Sequence, residues 1–478
     1  MTQPELFLTR VSNRTRPVAG RRSRGLALAC GLALLAACGG GGGGAAGATG
    51  GTGTGGTGGT GGTGGTTPPP SGPELLVQVA VGVNIQTLAS ARGLTVTGQF
   101  GSRPIYRLAL PVGGNVDSMV ADLLQTSGVR FAEANGVSET PESRKNSYWA
   151  IGGDAGAYAS QWAPTSLRLP QAHALATGSG VRVAVLDTGV DIRHPALAGR
   201  LLPGRDFVDD DRDPSEVGSS ADLGYGHGTH VAGLVALAAP GAAIVPVRVL
   251  DRQGAGNAWV LAEALLWAVD PDGNPATDDG AHLINLSLGS TRPTRLLEIA
   301  VALADCEFDD DDGDFDHPGF DADRARCALG HGAAVLSAAG NSGSADERLY
   351  PAAEAVPGTR AVTATTRDDR LADFANRGGW IQLAAPGEAI LSTVPGGAYA
   401  TWSGSSMAAP LAAGTAALVL ATPSPNPRPG TAGLRQWRAE DLVKRLEDRS
   451  RPVCDASVKQ IDALAAVTDT AAPDTPCP

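Results

Sequence analysis

The 478 residues exceed one ordinary domain and suggest two or three. Lysine and arginine number 37 against 49 aspartates and glutamates, a net charge of −12 with no long basic run, which argues against nucleic acid as a partner. With 42% hydrophobic residues, 6 cysteines and no apolar stretch of spanning length, the chain is neither disordered throughout, nor a disulfide-built miniprotein, nor a multipass membrane protein.

In chain order, Arg14, Arg16, Arg21, Arg22 and Arg24 precede an apolar stretch over 25–37. A basic region followed by a short apolar core reads as a secretory signal over 1–37. It ends in Leu35-Ala36-Ala37-Cys38-Gly39, which resembles the lipobox of bacterial lipoproteins. That resemblance implies an acylated Cys38 and a membrane anchor to which each buried CH₂ contributes about 0.8 kcal/mol. Residues 38–73 are almost entirely glycine and threonine, closed by Pro68, Pro69 and Pro70. Such a composition cannot bury apolar surface and predicts a flexible tether, with a span on the order of 30 Å.

Residues 74–142 predict a small α+β module. Strands are expected at 75–81, 94–97, 105–110 and 129–132. Asn84 caps one helix and Asn115 a second, in which Val116, Met119, Val120, Leu123 and Leu124 keep helical spacing. The order βαββαβ is a ferredoxin-like, split-βαβ sheet with both helices on one face.

From 148 to 467 strands and helices alternate: strands at 181–186, 243–249, 282–286 and 333–338, helices at 257–269 and 295–303. Strands of nearly continuous apolar character predict a parallel sheet with helices on both faces, its site beyond the carboxyl ends of the strands. Residues 468–478 form a tail. Four motifs fall at such ends. Asp187-Thr188-Gly189 follows the first strand. Gly226-His227-Gly228-Thr229-His230 opens a helix. Ala339-Gly340-Asn341-Ser342-Gly343 ends a strand. Gly404-Ser405-Ser406-Met407-Ala408-Ala409-Pro410 leads into a helix over 412–420. Taken singly, each reads as a turn or a cap. Their joint occurrence, in the order Asp, His, Asn, Ser on one α/β pattern, is not explained that way.

Here the chain resembles the subtilisin-like serine peptidases (subtilases) over residues 148–467. The resemblance implies a serine endopeptidase with Asp187, His227 and Ser406 as its triad and Asn341 in the oxyanion hole. His230 would be a neighbour of the triad. The chemistry suits these residues: a Ser hydroxyl is a weak nucleophile until a base takes its proton, and an imidazole can take that proton and return it to the leaving amine. An acyl-enzyme intermediate follows. The resemblance also points to Ser287-Leu288-Gly289 and Gly254-Ala255-Gly256 as edges that bind protein or peptide substrates in extended form, and to Ala339 and Gly340 as a wall of the pocket before the scissile bond. Ser405 stands where the family usually has Thr. The module at 74–142 resembles the inhibitory propeptides of subtilases. That implies a zymogen, its own propeptide as intramolecular inhibitor, and self-cleavage between 139 and 148. The protein is expected to be exported as a cell-envelope lipoprotein whose catalytic domain is freed unless the two parts stay bound.

In an exported protein Cys306 and Cys327 are expected to pair, as are Cys454 and Cys477, leaving Cys30 in the signal and Cys38 lipidated. The first pair encloses an acidic run over 309–316. This run, or Asp270-Pro271-Asp272-Gly273-Asn274 with Asp278 and Asp279, offers hard oxygen ligands for a structural calcium and equally reads as solvated charge. Triad chemistry needs no metal or other cofactor. Three rival readings fit the sequence less well. A zinc hydrolase built on His227 and His230 lacks the intervening Glu. An aspartic peptidase needs a second Asp-Thr-Gly. A dead scaffold displayed for binding would not keep all four catalytic positions filled.

Overall fold

The computed structural model describes residues 73–142, 150–308, 315–454, 456–474 and 477. The expected signal, Cys38, the tether to residue 72, most of the acidic run and most of the expected cleavage stretch lie outside the described residues.

The first elements are β1 (Glu74–Val79), α1 (Ile85–Ser90), β2 (Thr95–Gln99), β3 (Ile105–Ala109), α2 (Val116–Leu124) and β4 (Val129–Ala134). The strands form an antiparallel sheet in the order β2-β3-β1-β4. Asn84 and Asn115 cap the helices by accepting the N–H of Thr87 (3.0 Å) and Ser118 (2.8 Å), which satisfies a donor that the first helical turn leaves without a partner. β1 is apolar on both sides because both are covered. Leu75, Val77 and Val79 pack with the helices, while Leu76 joins Phe100, Ile105 and Phe131 against the body of the molecule.

β5 (Val137–Glu139) leaves this module. Beyond the undescribed stretch come β6 (Ala150–Ile151), α3 (Ala155–Ser160), α4 (Trp162–Ser166) and α5 (Leu169–His173). Next are β7 (Arg182–Asp187), β8 (Arg205–Asp206), α6 (His227–Ala238), β9 (Ala243–Arg248), β10 (Ala255–Asn257), α7 (Ala258–Val269), β11 (Leu283–Leu286) and α8 (Arg295–Asp305). The chain continues through α9 (Asp321–Ala328), β12 (Ala334–Ala338), β13 (Thr359–Thr365), β14 (Leu383–Pro386), β15 (Ile390–Val394) and β16 (Ala398–Trp402). It closes with α10 (Ser405–Leu420), α11 (Ala439–Asp448), β17 (Arg451–Pro452), β18 (Lys459–Gln460) and α12 (Ala463–Thr468).

Nine strands form one sheet in the order β17-β18-β14-β13-β12-β11-β7-β9-β8, parallel except for the β17–β18 pair. Successive residues of a strand face opposite sides. In β7, Val183 and Val185 enter the core shared with α6 and α10, whereas Ala184 and Leu186 enter the core shared with α7 and α8. This accounts for the unbroken apolar run: both faces are buried. Disulfides join Cys306 to Cys327 and Cys454 to Cys477. No helix among the described residues is long and apolar enough to cross a membrane.

α10 begins at Ser405, not at the expected 412, and runs through Pro410. Proline lacks the N–H that would bond to the carbonyl four residues earlier. That carbonyl is Ser406's, and Ser287 Oγ donates to it at 2.9 Å. A side chain from the end of β11 thus replaces a helical hydrogen bond, and the early turn survives.

Candidate active site

The four motif residues converge at the carboxyl ends of the sheet strands. Asp187 is the last residue of β7, His227 the first of α6, Asn341 lies just past β12, and Ser406 is in the first turn of α10. All four are buried. His227 Nδ1 pairs with Asp187 Oδ1 at 2.7 Å, and that oxygen also accepts the N–H of Thr188 at 2.8 Å. The other ring nitrogen, Nε2, faces the centre of the site.

Asn341 has its amide orientation fixed by its neighbours. Its Oδ1 accepts the N–H of Ser405 at 2.8 Å, so its Nδ2 must point into the site as a donor. Ser405 Oγ accepts the N–H of Gly340 at 3.0 Å, which gives the hydroxyl at that position a use. Asn285 Nδ2 meets Ser287 Oγ at 3.0 Å, so Asn285, Ser287 and the Ser406 carbonyl form a chain that fixes the backbone at Ser406.

A fifth residue occupies the centre. Glu142, 6% exposed, puts Oε2 at 2.7 Å from Ser406 Oγ and 3.3 Å from His227 Nε2. Its Oε1 accepts from Asn341 Nδ2 at 2.8 Å. Ser406 therefore donates to Glu142 rather than to His227. The approach depends on Gly404, where a Cβ would sit 1.9 Å from Glu142 Oε1. Burial alone lowers the His227 pKa, but the charge and hydrogen bond of Asp187, with Glu142, outweigh it and hold the imidazolium up to about 10.

The chain reaches this centre as a strand. β5 pairs antiparallel with β10, Glu139 opposite Ala255 and Ser138 opposite Gly256. On its other side Glu139 exchanges two hydrogen bonds with Gly289, 2.9 and 3.0 Å. The N–H of Thr140 donates to the Gly254 carbonyl at 3.1 Å. Both edges expected to hold extended peptide, 254–256 and 287–289, thus hold residues 137–140. Pro141 shares a recess with Gly340, Asn341 and Leu349. Module side chains also cap the body's helices: Glu133 accepts the N–H groups of Arg295 and Leu296 at the start of α8 (2.8 and 3.0 Å), and Asn135 that of Trp259 at the start of α7 (3.1 Å).

His230 stands outside this constellation. Its Nε2 faces the carbonyls of Ile390 (3.2 Å) and Ala400 (3.1 Å), and burial with the His227 charge lowers its pKa to about 3. It is a neutral brace between α6 and the β15–β16 hairpin, not available as a ligand beside His227. The Trp402 ring lies edge-on to both histidines.

Glu216 was not expected. Thr188 Oγ1 accepts the N–H of Gly228 (2.9 Å) and donates to Glu216 Oε1 (2.6 Å). Thr229 Oγ1 accepts the N–H of Asp191 (2.9 Å) and donates to Glu216 Oε2 (2.7 Å). One carboxylate thus ties the residue after Asp187 to the first turn of α6. Part of the residue reaches solvent, but the carboxyl is enclosed, and burial raises its pKa to about 7 against these hydrogen bonds. Within an acidic loop of ordinary appearance, no sequence signal separates it from its neighbours.

Of the calcium candidates, Asp270, Asp272 and Asp279 bring ligand oxygens within 4.8 Å of one another. Asp278 turns away to Arg182 (2.5 Å) and Arg435 (2.7 Å), which hold its carboxyl well below the usual range despite partial burial.

Residues 178–448 match the Subtilase family. The chain is 35% identical over 317 residues to the thermophilic serine proteinase of Bacillus sp. (strain AK1), covering 64% of this chain and 67% of that one. It is 36% identical over 271 residues to thermitase of Thermoactinomyces vulgaris, covering 54% and 81%. Fervidolysin from Fervidobacterium pennivorans, a keratinolytic enzyme related to subtilisin, shares the fold at a TM-score of 0.62 and 23% identity, over 85% of this chain and 61% of that one. The family match spans more than half the sequence and takes in all four motifs, so the chain belongs to the subtilase family and is a serine endopeptidase of the subtilisin type.

Proposed function

We propose that Asp187, His227, Ser406 and Asn341 carry the reaction and that residues 74–142 are an inhibitory prosegment, so that the intact chain is a latent precursor. The observation that carries this reading is the Glu142 carboxylate, which bridges Ser406 Oγ and His227 Nε2 and engages Asn341 Nδ2. One anion collects the nucleophile, the base and the oxyanion donor, as a tetrahedral oxyanion must during catalysis.

Once residues 137–142 are withdrawn, Ser406 Oγ adds to the carbonyl of a substrate strand bound along 254–256 and 287–289. Its proton passes to His227 Nε2, and Asp187 stabilises the imidazolium. The negative oxygen receives Asn341 Nδ2. Collapse breaks the C–N bond as His227 returns the proton to the leaving amine. Water then repeats the sequence on the acyl-enzyme. While Glu142 is in place this cannot begin: the base is already protonated and the hydroxyl proton points elsewhere.

We also propose export through the 1–37 signal and anchoring through Cys38, on the basis of their sequence alone. Asp270 and Asp279 each leave a buried Oδ1 without a partner, so with Asp272 they fit a structural calcium. That ion would neutralise their repulsion and takes no part in the chemistry.

Expression of the full chain as wild type and as Ser406→Ala tests the central reading. Wild type is expected to yield a catalytic fragment whose N-terminus falls between 139 and 148. Ser406→Ala is expected to stay intact. Equal processing of both would refute it.

A further inference from the structure

We propose that the disulfide-closed insertion following α8 is a docking arm for the N-terminal module, which keeps the module on the peptidase after the chain between them is cut. The inference rests on the prosegment reading, but on a contact remote from the cleft.

The described part of the arm is tied to the body. Cys306–Cys327 closes its base. Arg326, buried in α9, donates to the carbonyls of His331 and Leu303 and so pins that helix to the body. One turn earlier on α9, Asp323 is presented to the module with 4% of its side chain exposed.

The module meets it with the β2–β3 turn. Arg103 Nε reaches Asp323 Oδ2 at 2.9 Å and Nη2 reaches Oδ1 at 2.6 Å, a two-pronged pairing that only a preset guanidinium and carboxylate make. The Arg103 guanidinium also lies 4.9 Å from the centre of the Phe100 ring. Beside it, Ser102 Oγ donates to the Gly319 carbonyl at 2.8 Å. Gly319 fits the turn closely: a Cβ there would lie 2.3 Å from the Ser102 carbonyl oxygen and 2.8 Å from Arg103 Cα. Under the pair, Phe315 and Phe320 of the arm share one apolar cluster with Leu76, Phe100, Ile105 and Phe131 of the module and Trp259 of α7.

Cleavage between 139 and 148 severs none of these contacts. Arg103 and Asp323 are 220 residues apart in sequence and are joined by their side chains alone. A buried charge pair of this kind acts mainly on the dissociation rate. The arm therefore makes the severed prosegment a slowly released inhibitor and holds the peptidase to whatever the N-terminus is attached to.

The test uses the full chain. After processing, gel filtration reads whether the two fragments co-elute, and the onset of activity on dilution reads release. Wild-type fragments are expected to co-elute. Arg103→Glu on one side and Gly319→Ala on the other are expected to release the module at least about 30-fold faster. Arg92→Ala removes contacts internal to the module, with Asp122, Thr126 and the Leu88 carbonyl, and is expected to leave release unchanged. Hydrogen exchange of the uncleaved Ser406→Ala chain supplies a second reading: Arg103→Glu should lose protection over 100–105 while the central sheet keeps it. Normal cleavage with equal release in all variants overturns the arm and leaves the prosegment reading standing. Absence of cleavage in wild type overturns the prosegment reading, and retention by the arm with it.

Discussion

Glu142 carries a sharp expectation. Its carboxylate is nearly sealed from solvent and accepts two hydrogen bonds, from Ser406 (2.7 Å) and Asn341 (2.8 Å), beside the His227 imidazolium at 3.3 Å. Truncating one partner of a buried, hydrogen-bonded charge pair costs about 2–5 kcal/mol, much of it from the charge left behind. The pairing of β5 with β10 and the hydrogen bonds to Gly289 and Gly254 are backbone contacts that the substitution leaves alone. The lower end of that range is the appropriate one, and about 2 kcal/mol is roughly a 30-fold faster unmasking of Ser406. Glu142→Ala and the near-isosteric Glu142→Gln are therefore expected to shorten the lag before peptide hydrolysis by that factor. The assay is a chromogenic peptide added to freshly folded precursor. An unchanged lag in both variants would refute the argument that this carboxylate is what keeps the precursor silent.

Further outcomes follow from other residues. Asn341→Ala should lower kcat by about 100- to 1000-fold with little change in KM, a magnitude carried over from subtilisin itself rather than worked from these distances. Ser287→Ala strands the Ser406 carbonyl that Pro410 cannot satisfy, so a loss of about 1–3 kcal/mol in denaturant melts should accompany a lower kcat. The His227 pKa in the closed precursor is raised, from 6.5 to about 10, so its contribution to stability is complete below about 6.5 and lost as pH climbs through 10; thermal melts of Ser406→Ala across that window should fall, and should fall less in Ser406→Ala carrying Glu142→Gln. Glu216 keeps its proton up to about 7 in the folded state, so stability should decline between about 4.5 and 7, and Glu216→Gln should flatten that part of the pH curve. Fractionation of cells should find Ser406→Ala in the membrane as one intact chain; a wild-type peptidase of identical size would contradict processing.

The sheet and its site were legible where local sequence and tertiary role agree. β7, β9, β11 and β12 are short apolar runs covered on both faces, and each candidate catalytic residue sits at a strand end or helix start, where motif and geometry coincide. β13, with the sequence TRAVTAT, carries no clear strand signal because its threonines are buried by partners that local sequence does not show: Thr363 Oγ1 donates to the Asn376 carbonyl and Thr365 Oγ1 to Gln460 Oε1. The first turn of α10 was hidden by Ser405, Ser406 and Pro410, poor helix residues whose missing hydrogen bond is supplied by Ser287. Glu142 could not be read at all. Nothing in Glu139-Thr140-Pro141-Glu142 marks a carboxylate for the reacting centre until β5 is laid along β10 and the register counted forward.

The most direct test of the central claim is covalent. A fluorophosphonate probe applied to the processed enzyme, followed by peptide mass spectrometry, should place one label, on Ser406, and that label should vanish in Ser406→Ala and fade by orders of magnitude in His227→Ala. Label on another residue, or proteolysis that survives Ser406→Ala, would contradict it.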